Sequence, residues 1–377
     1  GEIKDVKLKY NKKYSFENIN FNFDHQKGET SIKNANFYYK KLRFSSNQII
    51  ITTDTNGKKL ITGEIRNQKT TINSNIFKSL FENDLNFIKD QEITFETKNK
   101  FSFKIQKGKI KGLKYSSQID LENISLSPED NLLKNYFNNY NNSILLKNNS
   151  IKLKYENKSL NIKGESDYSF DISFDKIEYK INKKKDSYDF LTLINFDNNP
   201  IKIKPINYSK EKNKKSNLKL KGSYNKNKVK FNEIIYNEGQ NFFEVRDLNL
   251  NNNFKIVNIN KVKVDYLNEN NKKNKFTIKK DLTYYNLSGT SFDSYDLIND
   301  ILLSDSDKSF LDYFNLSDGT TLNIDLNKVF LDKENFSENL LGKVIFKNNK
   351  VYNLTLSSKF KNNHKFKIDV KTLNNKE

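Results

Sequence analysis

Two histidines, scattered carboxylates and a large excess of lysine are the side chains of this sequence with a capacity for chemistry. His25 and His364 are far apart, and each sits among polar, loop-like residues, so they read as surface groups rather than a metal site or a catalytic base. Asp171 with Asp175, and Asp305 with Asp307, have the composition of acid/base or calcium pairs. Neither has the ligand spacing of a calcium loop, and solvated faces account for them. There is no Cys, which removes disulfides, thiolate zinc sites and cysteine nucleophiles. No phosphate-binding glycine loop, dinucleotide fingerprint, G-x-S-x-G or H-E-x-x-H is present. The sequence therefore predicts no enzyme, no metal site and no cofactor.

Lys plus Arg number 66 against 46 acids, a formal charge of +20, which raises nucleic acid and anionic membranes as partners. Arg occurs only at Arg43, Arg66 and Arg246, although Arg is the residue suited to bidentate phosphate and base recognition. Ala appears once, at Ala35, while Lys, Asn, Ile, Phe and Tyr abound, the signature of an AT-rich coding sequence. The basicity is read as a solvated outer face, with no nucleic acid as partner.

The elements that must position these groups are strands. In "IKLKYENKSLNIKG", residues 151–164, Ile151, Leu153 and Tyr155 fall on one face and Lys152 and Lys154 on the other. A turn near Asn157 changes the phase, after which Leu160 and Ile162 rejoin the apolar face and Lys163 the polar one. The same period of two runs through "YSFENINFNFD" with Ile19, Phe21 and Phe23, and "FSFKIQKGKIKGLKY" with Phe101, Phe103 and Ile105. In "YSFDISFDKIEYKIN" Tyr168, Phe170, Ile172 and Phe174 are in phase, with a bend or bulge expected near Asp175. Val262, Val264 and Tyr266 align in "KVKVDYL", and "TLNIDL", "GKVIFKNNKVYNLTLSSKF" and "HKFKIDVKTL" close the chain. Asn56-Gly57, Asp318-Gly319 and Asn348-Asn349 are turn signals, and the whole predicts roughly twenty strands with short connections.

Three segments, 75–90, 127–140 and 293–314, space apolar residues by three and four and predict short amphipathic helices. The Lys-rich stretches 182–189 and 209–217, flanking Pro200 and Pro205, predict loops and a hinge over 182–217 within one elongated unit, 1–377. A hydrophobic content of 35% with 13% aromatics fits an ordered chain rich in surface, such as an extended sheet. The start at Gly1 and the absence of Met suggest a segment of a longer protein, with no transmembrane run or signal peptide in it. The pattern leaves two destinations for the apolar face: a closed sandwich of two sheets, or an open trough still lined by Phe, Ile, Leu, Val and Tyr.

Residues 284–303, "YYNLSGTSFDSYDLINDILL", resemble the passage in AsmA-like proteins, especially the YhdP branch, where a strand ending in Gly and an "sFD" element lead into a short helix. The matching positions are Leu287, Gly289, Ser291, Phe292, Asp293, Leu297, Ile298 and Leu302. The stretch 320–360 resembles the family's following strand and hairpin, and "LITG" at 60–63 and "LKG" at 220–222 fit as strand ends of the same style. The likeness is best over 284–377. It departs where turn glycines are Asn or Lys here, and where Ser358 follows Ser357 in place of Gly.

This resemblance implies an all-β fold, a long twisted antiparallel sheet folded into an open hydrophobic groove. It further implies a periplasmic protein anchored in the inner membrane of a Gram-negative bacterium, carrying phospholipids between inner and outer membranes as TamB-type bridge proteins do. Acyl chains would be the partners, and both membranes would be reached through parts outside this segment. The expected lining is Phe21, Phe23, Phe101, Phe103, Ile151, Leu153, Tyr155, Leu160, Ile162, Phe170, Ile172, Phe174, Val262, Val264, Leu322, Ile324, Leu354, Leu356, Phe366 and Ile368. Twenty strands at about 4.8 Å would span about 100 Å. The alternative is a periplasmic or surface β-rich structural or adhesive protein with a closed core.

Overall fold

Alternating residues leave each strand with one face to bury and a row of backbone groups to pair, and neighbouring strands satisfy both needs. The computed structural model describes residues 1–9, 14–80, 85–128, 133, 134, 136, 137, 140–226, 228–297, 314–332 and 334–372. The chain divides into two compact units, Gly1–Asn131 with Tyr140–Asp186 and Leu132–Asn139 with Ser187–Glu377. Among the described residues, 22 strands belong to one mixed sheet that does not close into a barrel, and two more form a separate hairpin.

The first unit is a meander of β1 (Glu2–Lys9), β2 (Ser15–Gln26), β3 (Glu29–Tyr39), β4 (Leu42–Thr53), β5 (Lys59–Asn73), β6 (Glu92–Gln106), β7 (Lys109–Leu126), β8 (Ile144–Glu156), β9 (Ser159–Ser169) and β10 (Asp175–Lys184). Each strand pairs antiparallel with the next. The second unit holds β11 (Ser187–Asn195), the hairpin β12 (Ile201–Ile203) and β13 (Tyr208–Lys210), then β14 (Ser216–Asn225), β15 (Lys228–Glu238) and β16 (Asn241–Leu250). It continues through β17 (Ile256–Asn258), β18 (Lys261–Leu267), β19 (Lys273–Asp281), β20 (Tyr284–Asp293), β21 (Thr321–Phe330), β22 (Phe336–Lys347), β23 (Lys350–Phe360) and β24 (Lys365–Lys371).

Several expectations are corrected. The sheet is not antiparallel throughout: β20 and β21 run parallel, because the connection between them crosses back to the end where β20 began. The Lys-rich stretch 182–189 is mostly strand, since backbone pairing carries Lys183 opposite Leu160 and Lys184 opposite Ser159 whatever the side-chain polarity. In 209–217, β13 takes Ser209 and Lys210 and β14 takes Ser216 and Asn217.

Of the expected helix at 75–90, the described residues contain α1 (Ser74–Ser79), started by Asn73, whose side chain accepts the Ile76 N–H, and 81–84 lie outside the described residues. Residues 85–90 are not helical: Ile88 bridges Leu126, and the Ser127 N–H donates to the Phe87 carbonyl at 2.6 Å. Half of the expected helix at 127–140 and most of that at 293–314 fall outside the described residues.

Closed cores form where a connection lies over the sheet. In the first unit Leu42, Ile72, Phe77, Ile88, Ile93, Phe95, Leu121 and Ile124 make one buried cluster under α1 and the segment after it. Each such side chain contributes about 1.5–3 kcal/mol by leaving water. In the second unit the β12–β13 hairpin brings Tyr208 against Phe243, ring centroids 4.8 Å apart, and against Tyr266 at 5.7 Å. The Tyr208 hydroxyl donates to Glu238 at 2.7 Å and the Tyr266 hydroxyl to the Ile206 carbonyl at 2.7 Å, which satisfies the buried oxygens.

Candidate functional site

Residues directly opposite on paired strands share a face, so strand register decides which side chains meet. In the first unit Phe23 faces Ile32, Ile32 faces Ile49, and Ile49 faces Gly63. The row continues from Gly63 to Phe101, Tyr115, Tyr155 and Leu160, and ends at Lys183 on β10. A neighbouring row joins Leu153, Ile162 and Ile181, and the next joins Ile119, Ile151, Gly164 and Tyr179. Phe103, two residues from Phe101 and on the same face, lies opposite Ile61 and, through it, Ile51, and Phe21, beside Phe23, faces Ile3.

The second unit has a longer row. Thr192 on β11 faces Leu220, which leads through Ile234, Val245, Val262, Ile278 and Leu287 to Ile324. From Ile324 it reaches the last strand through Gly342, Leu356 and Ile368. Leu322, Val344, Leu354 and Val370 form the adjacent row. On the same face, beyond the long row, Val264 faces Phe276, and Phe276 faces Gly289. Phe366 faces Ser358, which is buried and donates its hydroxyl to the Glu338 carbonyl at 2.8 Å.

These rows are neither a sealed core nor open surface. Phe23, Phe101, Leu153, Tyr155, Leu160, Ile162, Val262, Ile324 and Leu356 are all half-buried, and at the last strand Ile368 and Val370 are 37% and 47% exposed. Glycines let neighbours lie flat: a Cβ on Gly164 would stand 2.2 Å from the Tyr179 ring, and one on Gly63 2.8 Å from the Phe101 ring. Asn99 on this face is internally satisfied. It accepts hydrogen bonds from Tyr115 and Ser117, each 2.7 Å, and donates to the Ile65 carbonyl at 3.2 Å. Burial pushes the Tyr115, Tyr179 and Tyr285 phenols up, so the face carries no phenolate near neutrality.

The opposite face of the first unit is cationic. Lys152, Lys163 and Lys180 stand directly opposite one another on β8, β9 and β10, and Lys98, Lys100, Lys152, Lys154 and Lys163 line a shallow depression. Part of this charge is paired, Lys154 with Glu156 at 3.3 Å and Lys98 and Lys100 with Glu64 at 3.7 and 3.8 Å, and the second unit carries ion pairs too. Arg246 meets Glu244 at 2.7 Å and Glu233 at 3.1 Å, and Lys261 meets Glu244 at 3.0 Å.

Four expected lining residues lie elsewhere. Phe170, Ile172 and Phe174 occupy a bend between β9 and β10 rather than a strand, because the Ser169 hydroxyl accepts the Asp171 N–H and turns the chain. Phe170 is buried edge-on to Tyr140 and Tyr168, Ile172 is 77% exposed, and the Phe174 ring sits 4.4 Å from the Lys147 ammonium. Val264 is 5% exposed, part of the closed core rather than the half-open rows. The expected lining omitted Tyr115, Ile278 and Leu287, and also Tyr179, whose alternation with Ile177 and Ile181 is visible in the sequence. Their alternation with Lys and Asn carried the signal, but only register joins them to the other strands.

The described residues contain no cluster of acidic or histidine side chains able to hold a metal ion. None of their helices is long and apolar enough to cross a membrane. Comparison with protein-family models, with curated proteins and with solved structures finds no match for the chain. Its function must be read from the two faces of the sheet.

Proposed function

We propose that the apolar face lines an open hydrophobic groove that carries phospholipid acyl chains, without catalysis, between the inner and outer membranes of a Gram-negative bacterium. The observation that carries this reading is the strand-to-strand continuity of half-buried apolar rows, β2 to β9 in the first unit and β11 to β24 in the second. Half-burial matters because a packed core would exclude a ligand, whereas these rows keep area to offer. An acyl chain gains about 0.8 kcal/mol per methylene removed from water, and non-directional contacts let it slide from strand to strand. The AsmA-like character of residues 284–303 supports the same reading and, with it, a periplasmic protein tethered to the inner membrane.

A photo-crosslinking residue in place of Leu153, Ile162 or Leu356 is expected to label phospholipid in cells, while the same residue in place of Lys152 or Lys163 is not. Equal labelling from both faces, together with native mass spectra free of phospholipid, would overturn the proposal. That outcome would favour a β-rich structural or adhesive protein.

A further inference from the structure

In the first unit, the tight turns at one end of the sheet carry lysine where the backbone least favours a side chain. The turns joining β2 to β3, β6 to β7 and β8 to β9 hold Lys27, Lys107 and Lys158 at φ of 44°, 49° and 61°. A Cβ strains the chain in this left-handed region, and glycine or asparagine relieves the strain. The β22–β23 turn uses that remedy, with Asn348 and Asn349 at 51° and 57°, whereas Lys40 and Lys41 between β3 and β4 and Lys226 between β14 and β15 are further left-handed lysines.

The three lysines are exposed, and no ion pair among the described residues includes them. Of the acids near these turns, Asp24 pairs with Lys33 at 2.7 Å and Glu156 with Lys114 at 2.7 Å, while Glu29 stands exposed two residues from Lys27. Turns at one end of a meander recur every second strand, about 10 Å apart. Lys107 directly follows β6, two residues beyond Ile105, and Lys158 directly precedes β9, two residues before Leu160. Leu160 belongs to the long apolar row, and Ile105 faces Ile110, which is 63% exposed. A chain lying on these residues would bring its headgroup level with the lysines.

We infer that this end of the first unit is a headgroup ledge selecting phospholipids of net negative charge over zwitterionic ones; the inference rests on the groove reading above. In a zwitterionic headgroup the phosphate is already offset by its own amine, so unpaired lysines discriminate only when the net charge is negative. The test compares the parent chain with a Lys27→Asn/Lys107→Asn/Lys158→Asn variant. Asparagine removes the charge and suits the turn, so folding is preserved. Each protein is incubated with vesicles of equal phosphatidylglycerol and phosphatidylcholine, separated from them, and its retained lipid measured by native mass spectrometry. The parent is expected to enrich phosphatidylglycerol, and the variant to lose about fivefold or more of that enrichment at unchanged total lipid. An equal enrichment in both proteins, or none in the parent, overturns the ledge while leaving the groove standing. A parent that retains neither lipid overturns the groove and the ledge with it.

Discussion

Gly289 lies opposite Phe276 across the β19–β20 pair, so close that a Cβ on the glycine would stand 2.6 Å from the Phe276 Cα and 2.4 Å from the Lys275 carbonyl oxygen. The register shifts at this point, between Lys275 and Phe276, which brings the partner backbone against the glycine. Gly289 is thus a strand-interior position, like Gly63 and Gly222, rather than a strand end.

Gly289→Ala is expected to destabilise the second unit by about 1–3 kcal/mol, because the obstructing atoms are backbone and cannot swing aside. Gly63→Ala meets side-chain atoms instead, the Phe101 ring at 2.8 Å and Ile49 Cγ1 at 3.0 Å, and should cost less. Thermal unfolding followed by tyrosine fluorescence would rank the two. A larger loss at Gly63 would refute the argument.

Lys210 is fully buried, and its ammonium donates to the carbonyls of Phe196, Asp197 and Asn199. It gathers the chain between β11 and β12 beneath the hairpin. Lys210→Met keeps the apolar stem but leaves those oxygens without their donor, an expected loss of about 3 kcal/mol or more in denaturant unfolding. An unchanged midpoint would mean that water or a neighbouring group replaces the ammonium.

Two carboxylates of the second unit should respond to pH in opposite senses. Burial disfavours the charge of Glu244, but hydrogen bonds from Lys261 and Arg246 outweigh it and hold the carboxyl below its ordinary value of 4.5. Its stabilisation is complete above that value and is lost as pH falls through the lower folded value. Asp296 is pushed above its ordinary 3.8 by burial, then by the Asp293 and Glu269 carboxylates. Its folded form holds the proton more tightly, so it costs stability once pH rises past the raised value. Asp296→Asn should therefore raise the unfolding temperature at pH 7 and leave it unchanged near pH 3, whereas Glu244→Gln should lower it at pH 7 and by progressively less as pH falls below 4.5. Parallel pH profiles for the two variants would contradict this account.

Much of the sheet was legible because alternation is local. Ile151, Leu153 and Tyr155, the turn at Asn157, and Leu160 with Ile162 needed only the period of two, and the register sets Tyr155 opposite Leu160 and Leu153 opposite Ile162. The same rule failed at Phe170, Ile172 and Phe174, where a serine hydroxyl competes for a backbone N–H and ends the strand while the apolar phase runs on. The parallel pairing of β20 with β21 and the bridge from Ile88 to Leu126 are long-range choices that no window of sequence contains. Nor could alternation tell Val264, sealed beneath the aromatic cluster, from Val262 two residues earlier, which stays half-buried.

That last distinction gives a decisive comparison within the first unit. Leu42 is fully buried in the closed cluster, so Leu42→Ala should cost about 2–5 kcal/mol through lost burial and a cavity. Leu153 is half-buried in a row that already admits Asn99 and Ser117, so a carboxylate placed there can still reach water. Leu153→Asp should leave the unfolding midpoint within about 1 kcal/mol of the parent. It should also lower phospholipid retention about tenfold, since roughly two methylenes lose their apolar contact. Should Leu153→Asp instead unfold the protein as severely as Leu42→Ala, the rows are core, and the apolar face has no area left for a lipid to occupy.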